Sequence, residues 1–368
     1  MPVPSLTVAV DAGPLVGPRT GIGRFTAELL GALDALEDAP AVVRYVLSFR
    51  APLPRGTVRL PYPAALAQQV WQRLEYPRPR RPFDGCEVVH GTNFVVPPSK
   101  LAEVVTVHDC SPLDRPDLVD PVVRRFPALI ARAVKRGAWV HTPSQYVADQ
   151  VCERFGTTRV RAIPHGGPKL GPAPERRPPL PGLDDRPYVL GLGTREPRKN
   201  LVRLVQAFGI LRAVGHDVGL VLVGKSGSDT ARVDAAIAAL PASAAERVVL
   251  TDFVTDEQLV WLLSHARVLA YPSLDEGFGL PMLEAMGYDV PVVASAAGAL
   301  PEVAGDAALL VDPLDADALA AALARAVADE AERARLLAAG RARVAAYSWS
   351  STASAMLELY RQAIDDRS

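Results

Sequence analysis

Little in this sequence is in excess, and its shortages exclude whole classes of protein. Among 368 residues there are three cysteines, Cys86, Cys110 and Cys152. Their wide spacing makes neither a disulfide framework nor a zinc pattern, and it fits a reducing compartment. No apolar run approaches the ~20 residues of a membrane-spanning helix. The first residues, Met1 to Thr7, lack the basic segment of a secretory signal. Charge of one sign is scarce too: 40 basic and 41 acidic residues leave a net charge of −1, with no long run of either, so the chain is not built to coat nucleic acid. Apolar residues, by contrast, make up 49% of the chain, with a mean hydropathy of +0.12, which supplies real cores and excludes disorder. At about 100–200 residues per domain, the length suggests two domains or one unusually large one.

Apolar strand-type runs alternate with helical stretches along nearly the whole chain. In the first half they are Leu6–Asp11, Val42–Ser48, Glu87–His90, Val104–His108, Trp139–Thr142 and Val160–Ile163. In the second they are Tyr188–Gly193, Leu220–Gly224, Val248–Thr251, Val268–Tyr271, Val292–Ser295 and Leu309–Val311. Between them, patterns such as Leu201, Leu204, Val205, Phe208 and Leu211 mark one face of a helix. Unbroken apolar strands alternating with helices predict buried parallel sheets, an α/β class with two doubly wound, Rossmann-like domains. Prolines crowd the stretch 171–187, GPAPERRPPLPGLDDRP, which reads as a semi-rigid linker. The domains are therefore expected at 1–170 and 188–349, with a last helix at 350–368 completing the first. Residues 1–180 hold 23 basic and 16 acidic residues, and the remainder 17 and 25, so a basic half precedes an acidic one.

Open parallel sheets bind ligands outside the carboxyl ends of their strands. The expected ends carry Asp11, His90, His108–Asp109, Thr142–Ser144 and Pro164–Gly167 in the first half, and Gly193–Thr194, Gly224–Lys225, Thr251–Asp252 and Tyr271–Ser273 in the second. The segment Leu269–Gly287, LAYPSLDEGFGLPMLEAMG, reads strand, loop, helix. Pro281 suits a first helical turn, and Gly277 and Gly279 let the loop approach a ligand closely. A helix start there offers free N–H groups and a positive dipole end to a diphosphate. Glu284 would then lie near a ribose and Glu276 near the group beyond the phosphates. In GTREPRKNL, residues 193–201, Arg198 and Lys199 are adjacent cations between a strand and a helix, and Asn200 is a candidate cap. They suit a diphosphate that gains charge as it leaves. RTGIGRF, residues 19–25, lacks the third glycine of a dinucleotide fingerprint, so Gly21 and Gly23 read as a flexible glycine loop facing the interdomain cleft.

Together these residues resemble the family 4 retaining glycosyltransferases. The resemblance runs through Asp11, GIGRF, TVHD at Thr106–Asp109, TPS at Thr142–Ser144, IPHG at Ile163–Gly166 and EPRKN at Glu196–Asn200. It continues through the E-x7-E pair Glu276/Glu284 to LPEVAGDAALLVDP at Leu300–Pro313. It implies the GT-B architecture, two Rossmann-like domains facing each other across a cleft. It implies a nucleotide-sugar held mainly by the second domain, with Arg198 and Lys199 on the diphosphate, Glu284 on the ribose and Glu276 on the sugar. His108 would reach the sugar from the first domain. Gly21, Gly23, Gly193, Thr194, Ser273, Phe278, Gly279 and Leu280 would line the donor. Thr194 stands where the family often has arginine, which leaves the role of Arg195 open. The EPRKN form points to the mannosyltransferase branch, hence GDP-mannose as donor and a glycan, lipid-linked saccharide or small molecule as acceptor.

The resemblance also implies a metal-independent, cytoplasmic enzyme of polysaccharide biosynthesis, with no cofactor beyond its co-substrate. Asp315-Ala316-Asp317 reads as a helix cap rather than a metal-bound nucleotide site. For Arg124–Arg136, RRFPALIARAVKR, two readings stay open: a helix over the sheet, or a basic amphipathic surface that holds the protein at the inner face of the membrane. Two rival functions remain, a glycoside hydrolase using Glu276 and Glu284 as its carboxyl pair and a nucleotide-sugar-binding relative without catalysis.

Overall fold

A computed structural model describes residues 6–17, 21–114, 123–169, 171–252 and 254–367. The chain divides into two units, Met1–Gly166 joined by Tyr347–Ser368, and Gly167–Ala346. The proline-rich stretch 171–187 belongs with the second unit instead of standing apart as a linker. Side chains hold it there: Tyr288 Oη donates to the carbonyl of Gly171 (3.1 Å), Gln258 Nε2 donates to that of Pro179 (2.6 Å), and Arg177 lies over the Trp261 ring.

The first unit is built on a seven-stranded parallel sheet. Its strands are β1 (Thr7–Asp11), β2 (Ala41–Leu47), β3 (Thr57–Leu60), β4 (Val88–Gly91), β5 (Ala102–Thr106), β6 (Trp139–Thr142) and β7 (Val160–Ala162), in the order β3-β2-β1-β4-β5-β6-β7. The strand β3 is additional to the six expected. Its TVRL is short, follows prolines, Arg55 and Gly56, and exposes Val58, so no apolar run announces it. One face of the sheet packs on helix α1 (Gly21–Asp34) through Phe25, Leu29 and Leu33, and on the C-terminal helix Trp349–Asp365 through Ala353, Met356, Leu357 and Tyr360. That last helix therefore returns to the first unit, and it starts at Trp349, with the Ser348 side chain accepting from the N–H of Ser351. The other face buries helix α2 (Ala64–Trp71) and helix α3 (Phe126–Lys135) through Trp71, Phe126, Leu129 and Ile130.

The second unit carries six parallel strands, β8 (Tyr188–Leu192), β9 (Gly219–Val223), β10 (Val248–Thr251), β11 (Val268–Tyr271), β12 (Val292–Ser295) and β13 (Ala308–Val311), ordered β10-β9-β8-β11-β12-β13. Helix α4 (Leu201–Ala213) sets Leu201, Leu204, Val205, Phe208 and Leu211 into the core, as its spacing predicts. In both sheets the strand order reverses once, between β1 and β4 and between β8 and β11. Loops leaving the two strands at such a point diverge and open a crevice.

Candidate functional site

The loops that leave β8 and β11 bring together the charged residues singled out in the sequence. Pro197, Arg198 and Lys199 form a single tight helical turn after β8. The N–H of Leu274, just past β11, donates to the carbonyl of Arg198 (2.7 Å), which fastens the two loops to each other. Glu276 is buried between them. Its Oε2 accepts from Arg198 Nη1 (3.1 Å), and its Oε1 forms a short ion pair with Lys199 Nζ. Lys199 Nζ also donates to Tyr271 Oη (3.2 Å) and lies over the Tyr271 ring. Burial alone would raise the Glu276 carboxyl, but Lys199 and then Arg198 outweigh it and hold the group down at about 2. Burial pulls Lys199 below its usual value, and Glu276 opposes that. Glu196 also pairs with Arg198 (3.4 Å), at the rim, so two cations face one buried and one more exposed carboxylate at the switch point of the second sheet.

The backbone that carries Glu276 is held by glycines. Gly279 closes the loop with φ of 102°, and helix α5 (Leu280–Gly287) starts directly after it with Pro281 in its first turn. Gly298 has φ of 62°, and a Cβ there would stand 2.7 Å from both the N and O of Glu276. The N–H of Ala299 donates to the Glu276 carbonyl (2.9 Å). Tyr271 is legible in the sequence as a strand end but not as a partner of Lys199, and Gly298, in SAAGALPE at Ser295–Glu302, gives no signal until its loop is seen against Glu276. Phe278 and Glu284 are buried, Glu284 one turn into α5, and Leu280 is its first residue. Ser273 is buried beyond β11, its carbonyl bonded by Ser295 Oγ. Gly193 continues β8, its N–H donating to Val223 O (2.9 Å), and the Thr194 carbonyl accepts from Glu196 N–H (2.7 Å).

Two expectations at this loop change. Asn200 occupies the start of α4 but does not cap it; in a left-handed conformation its Nδ2 donates to the carbonyls of Pro272 and Pro313 (3.0 and 2.7 Å). It is a tether between loops. Arg195, whose role was open, is buried, pairs with Asp252 and donates to the Gly224 carbonyl (3.2 Å). It braces the loops that follow β8, β9 and β10. Asp315 accepts from the N–H of Ala318 (2.8 Å) and so caps the helix Ala316–Ala328.

In the first unit, Gly21 and Gly23 are not in a loop. Both lie in the first turn of α1, with Gly23 buried, while Arg19 and Thr20 lie outside the described residues. The Thr26 hydroxyl donates to the Ile22 carbonyl (3.0 Å), inside the helix. His108 is buried two residues past β5, edge-on to Phe25 and Phe94, and its Nε2 donates to the carbonyl of Thr92 (2.9 Å). Burial lowers its pKa, so its ring is neutral.

A cavity of about 180 Å³ opens at the switch point of the first sheet. It is lined by Asp11, Tyr45, Gln68, Trp71, Asn93 and Phe126, among others. Asp11 Oδ1 accepts from the Gly13 N–H (2.8 Å), yet burial pushes the carboxyl up to about 7. Buried oxygens of Gln68 and Asn93 have no hydrogen-bond partner within the protein. The cavity thus presents oxygen acceptors over an aromatic floor and suits a ligand rich in O–H donors. Of these residues only Asp11 had been singled out, because the rest come from separate segments.

Residues 174–343 match the model of the family described as Glycosyl transferases group 1. The chain is similar to the O-antigen chain mannosyltransferase B of Escherichia coli, at 29% identity over 95% of this chain and 97% of that one. It is 42% identical to the MMP alpha-(1->4)-mannosyltransferase of Mycolicibacterium hassiacum over 46% of this chain and 41% of that one. Among solved structures, the sucrose-phosphate synthase of Thermosynechococcus elongatus aligns with a TM-score of 0.72 at 22% identity, over 98% of this chain and all of that one. WaaG, a glycosyltransferase of lipopolysaccharide biosynthesis, aligns with a TM-score of 0.65 at 15% identity over 99% of this chain and all of that one. These likenesses identify the fold as GT-B, two Rossmann-like domains. The group 1 glycosyl transferase model thus covers the second unit of this chain, and the likeness to the E. coli mannosyltransferase runs through both units.

Proposed function

We propose that this hexosyltransferase is a retaining mannosyltransferase that takes GDP-mannose and extends a glycan or lipid-linked saccharide. The observation that carries the reading is the meeting of Arg198, Lys199 and Glu276 ahead of the N-terminus of α5. A diphosphate needs cations and N–H donors, and it needs them most as the bond to the sugar breaks. The similar O-antigen and MMP enzymes are named for mannose, which favours that sugar. Glu284 is assigned to the ribose and Glu276 to the sugar.

In the reaction, the bond from the anomeric carbon to the diphosphate oxygen breaks, and its electrons stay with the diphosphate beside Lys199 and Arg198. The acceptor oxygen bonds the anomeric carbon on the same face, and its proton passes to the departing diphosphate. The O–H-seeking cavity beside Asp11 supports a place for the acceptor in the first unit. A glycosidase needs one carboxyl kept protonated as its acid. Glu276, held near 2 by two cations, does not serve as one.

A thermal-shift panel of GDP-, UDP-, ADP- and dTDP-sugars tests the donor. At about 100 times its dissociation constant the true donor raises stability by ~2.7 kcal/mol. A shift with UDP-glucose alone would replace the GDP-mannose assignment, and donor binding without transfer or donor hydrolysis would favour a non-catalytic relative. Cations of the protein already stand at the proposed diphosphate site, so transfer is expected to persist in excess chelator; strict dependence on added manganese would refute metal independence.

A further inference from the structure

Of the two readings of Arg124–Arg136, the structure bears out the helix over the sheet. Helix α3 turns Phe126, Leu129, Ile130 and Ala133 into the core. A different stretch of the first unit, residues 49–81, carries an exposed apolar and basic surface. Seven arginines and one acid fall within it. Arg50, Arg55, Arg73, Arg78, Arg80 and Arg81 are exposed, while the single acid, Glu75, is half-buried and paired with Arg78 (2.8 Å). Of the nine large apolar side chains exposed among the described residues, five are here: Phe49, Val58, Leu66, Leu74 and Tyr76. Tyr76 is 73% exposed and Leu74 59%, values at which apolar area is left in water without a partner in the fold.

These residues fall on neighbouring elements. Leu47 at the end of β2 lines the same cavity as Ala64 and Gln68 of α2, so the chain at Phe49–Arg50 leaves the sheet beside that helix. Helix α2 buries Ala67 and Trp71 and turns Leu66 outward. A further helical turn, closed by the N–H of Leu74 on the Val70 carbonyl (2.8 Å), delivers Arg73 and Leu74, about 12 Å along from Leu66 at 1.5 Å per residue. The Trp71 indole donates to the Pro77 carbonyl (3.0 Å), which holds the 74–81 segment against the helix end.

We propose that this surface docks the protein on an anionic phospholipid bilayer. Phe49, Leu66, Leu74 and Tyr76 would enter the headgroup region while the arginines meet lipid phosphates. Guanidinium groups bind phosphate in a bidentate manner and are less strongly hydrated than ammonium groups, which suits an interface. Basic clusters mixed with aromatic and aliphatic side chains are the pattern of an interfacial anchor, and neither component alone anchors firmly. The proposal does not depend on which donor the second unit takes.

The test is co-sedimentation of the full chain with vesicles of phosphatidylcholine, with and without phosphatidylglycerol. The parent is expected to sediment only with the anionic vesicles, and less so as salt rises. Arg73→Glu with Arg80→Glu and Arg81→Glu should weaken this by roughly tenfold or more. Phe49→Ser with Leu74→Ser and Tyr76→Ser should also weaken it and leave the remainder more salt-sensitive. All six positions are exposed, and thermal unfolding of each variant checks its fold; if the reversal fails to fold, Arg→Gln at the same three positions replaces it. Failure of the parent to sediment, equal binding to neutral vesicles, parent-like binding by either triple variant, or preference for a single-stranded oligonucleotide over anionic vesicles would each overturn the proposal.

Discussion

The two units solve the same problem, polar groups at the heart of a parallel sheet, in opposite ways. In the second unit the groups are charged and paired: Glu276 is held as a carboxylate by Lys199 and Arg198. In the first, apart from the ion pair of Glu103 on β5 with Arg136 (2.6 Å), the buried groups form a neutral chain. Tyr360 Oη meets His90 Nδ1 (2.8 Å), His90 Nε2 meets Thr106 Oγ1 (2.8 Å), Thr106 Oγ1 meets His141 Nδ1 (2.9 Å), and His141 Nε2 meets the Ile163 carbonyl (3.0 Å). A carbonyl only accepts, so His141 carries its proton on Nε2. Each earlier link is then fixed: the Thr106 hydroxyl donates to His141, His90 Nε2 donates to Thr106, and the Tyr360 hydroxyl donates to His90. Burial lowers the pKa of His90, His108, His141 and His165 alike. A neutral relay fixes structure without attracting an ion, whereas a charged cluster can exchange one anion for another. The comparison assigns rigidity to the first arrangement and exchange chemistry to the second.

The largest effect expected from breaking the contrast is at Lys199. Lys199→Ala leaves Glu276 buried beside Arg198 alone, and losing one partner of a buried pair costs about 3–5 kcal/mol. Transfer should fall by at least ~100-fold. Lys199→Met combined with Glu276→Leu should recover most of the stability by calorimetry but none of the transfer. Recovery of both would show that the cluster is structural only.

Acid should separate the units next. The lowered histidine pKa values mean that their contribution is fully present above about 6.5 and lost as pH falls through the folded values, about 4 for His141. For His141 alone the loss at pH 4 is on the order of 3 kcal/mol. Asp11, raised to about 7, and Glu103, also raised by burial, act in the opposite sense, two groups against four. The Glu276 contribution is present above 4.5 and lost only as pH falls towards 2. Tryptophan fluorescence reads mainly the first unit, through Trp71, Trp139 and Trp349. Its acid transition should precede loss of the second unit's signal in calorimetry; a single shared transition would contradict the contrast.

Glu276→Gln sharpens the comparison at smaller cost. In the free protein Glu276 neutralises the cations proposed for the diphosphate. The variant should bind GDP somewhat more tightly, by roughly tenfold or about 1.4 kcal/mol at most, while transfer falls. Titration calorimetry beside a transfer assay checks both; weaker GDP binding would remove the phosphate from these cations. The smallest effect is Tyr360→Phe, which takes the first donor from the relay and should cost about 1 kcal/mol in thermal unfolding, with transfer little changed.

What the sequence disclosed was local. The strand, glycine loop and Pro281 helix start around Glu276 are consecutive, so their pattern is readable. That Glu276 meets Lys199 is not, because 77 residues separate them and only the pairing of β8 with β11 joins their loops. The glycines of α1 misled for a physical reason. Glycine's poor helix propensity suggests a loop, and burial against the sheet overrides it. The relay was invisible because Tyr360 lies 270 residues from His90.

The return of the C-terminal helix to the first sheet also sets an order of assembly on the ribosome. Residues 1–166 emerge first but lack Tyr360, Met356 and Leu357, the covers for one face of their own sheet. The second unit, complete within 167–346, can close while the earlier one still waits for its last helix. A chain shortened by those final residues would leave His90 without its donor and Phe25, Val104 and Leu29 in water, and should appear in pulse proteolysis as a protected second unit attached to a degradable first.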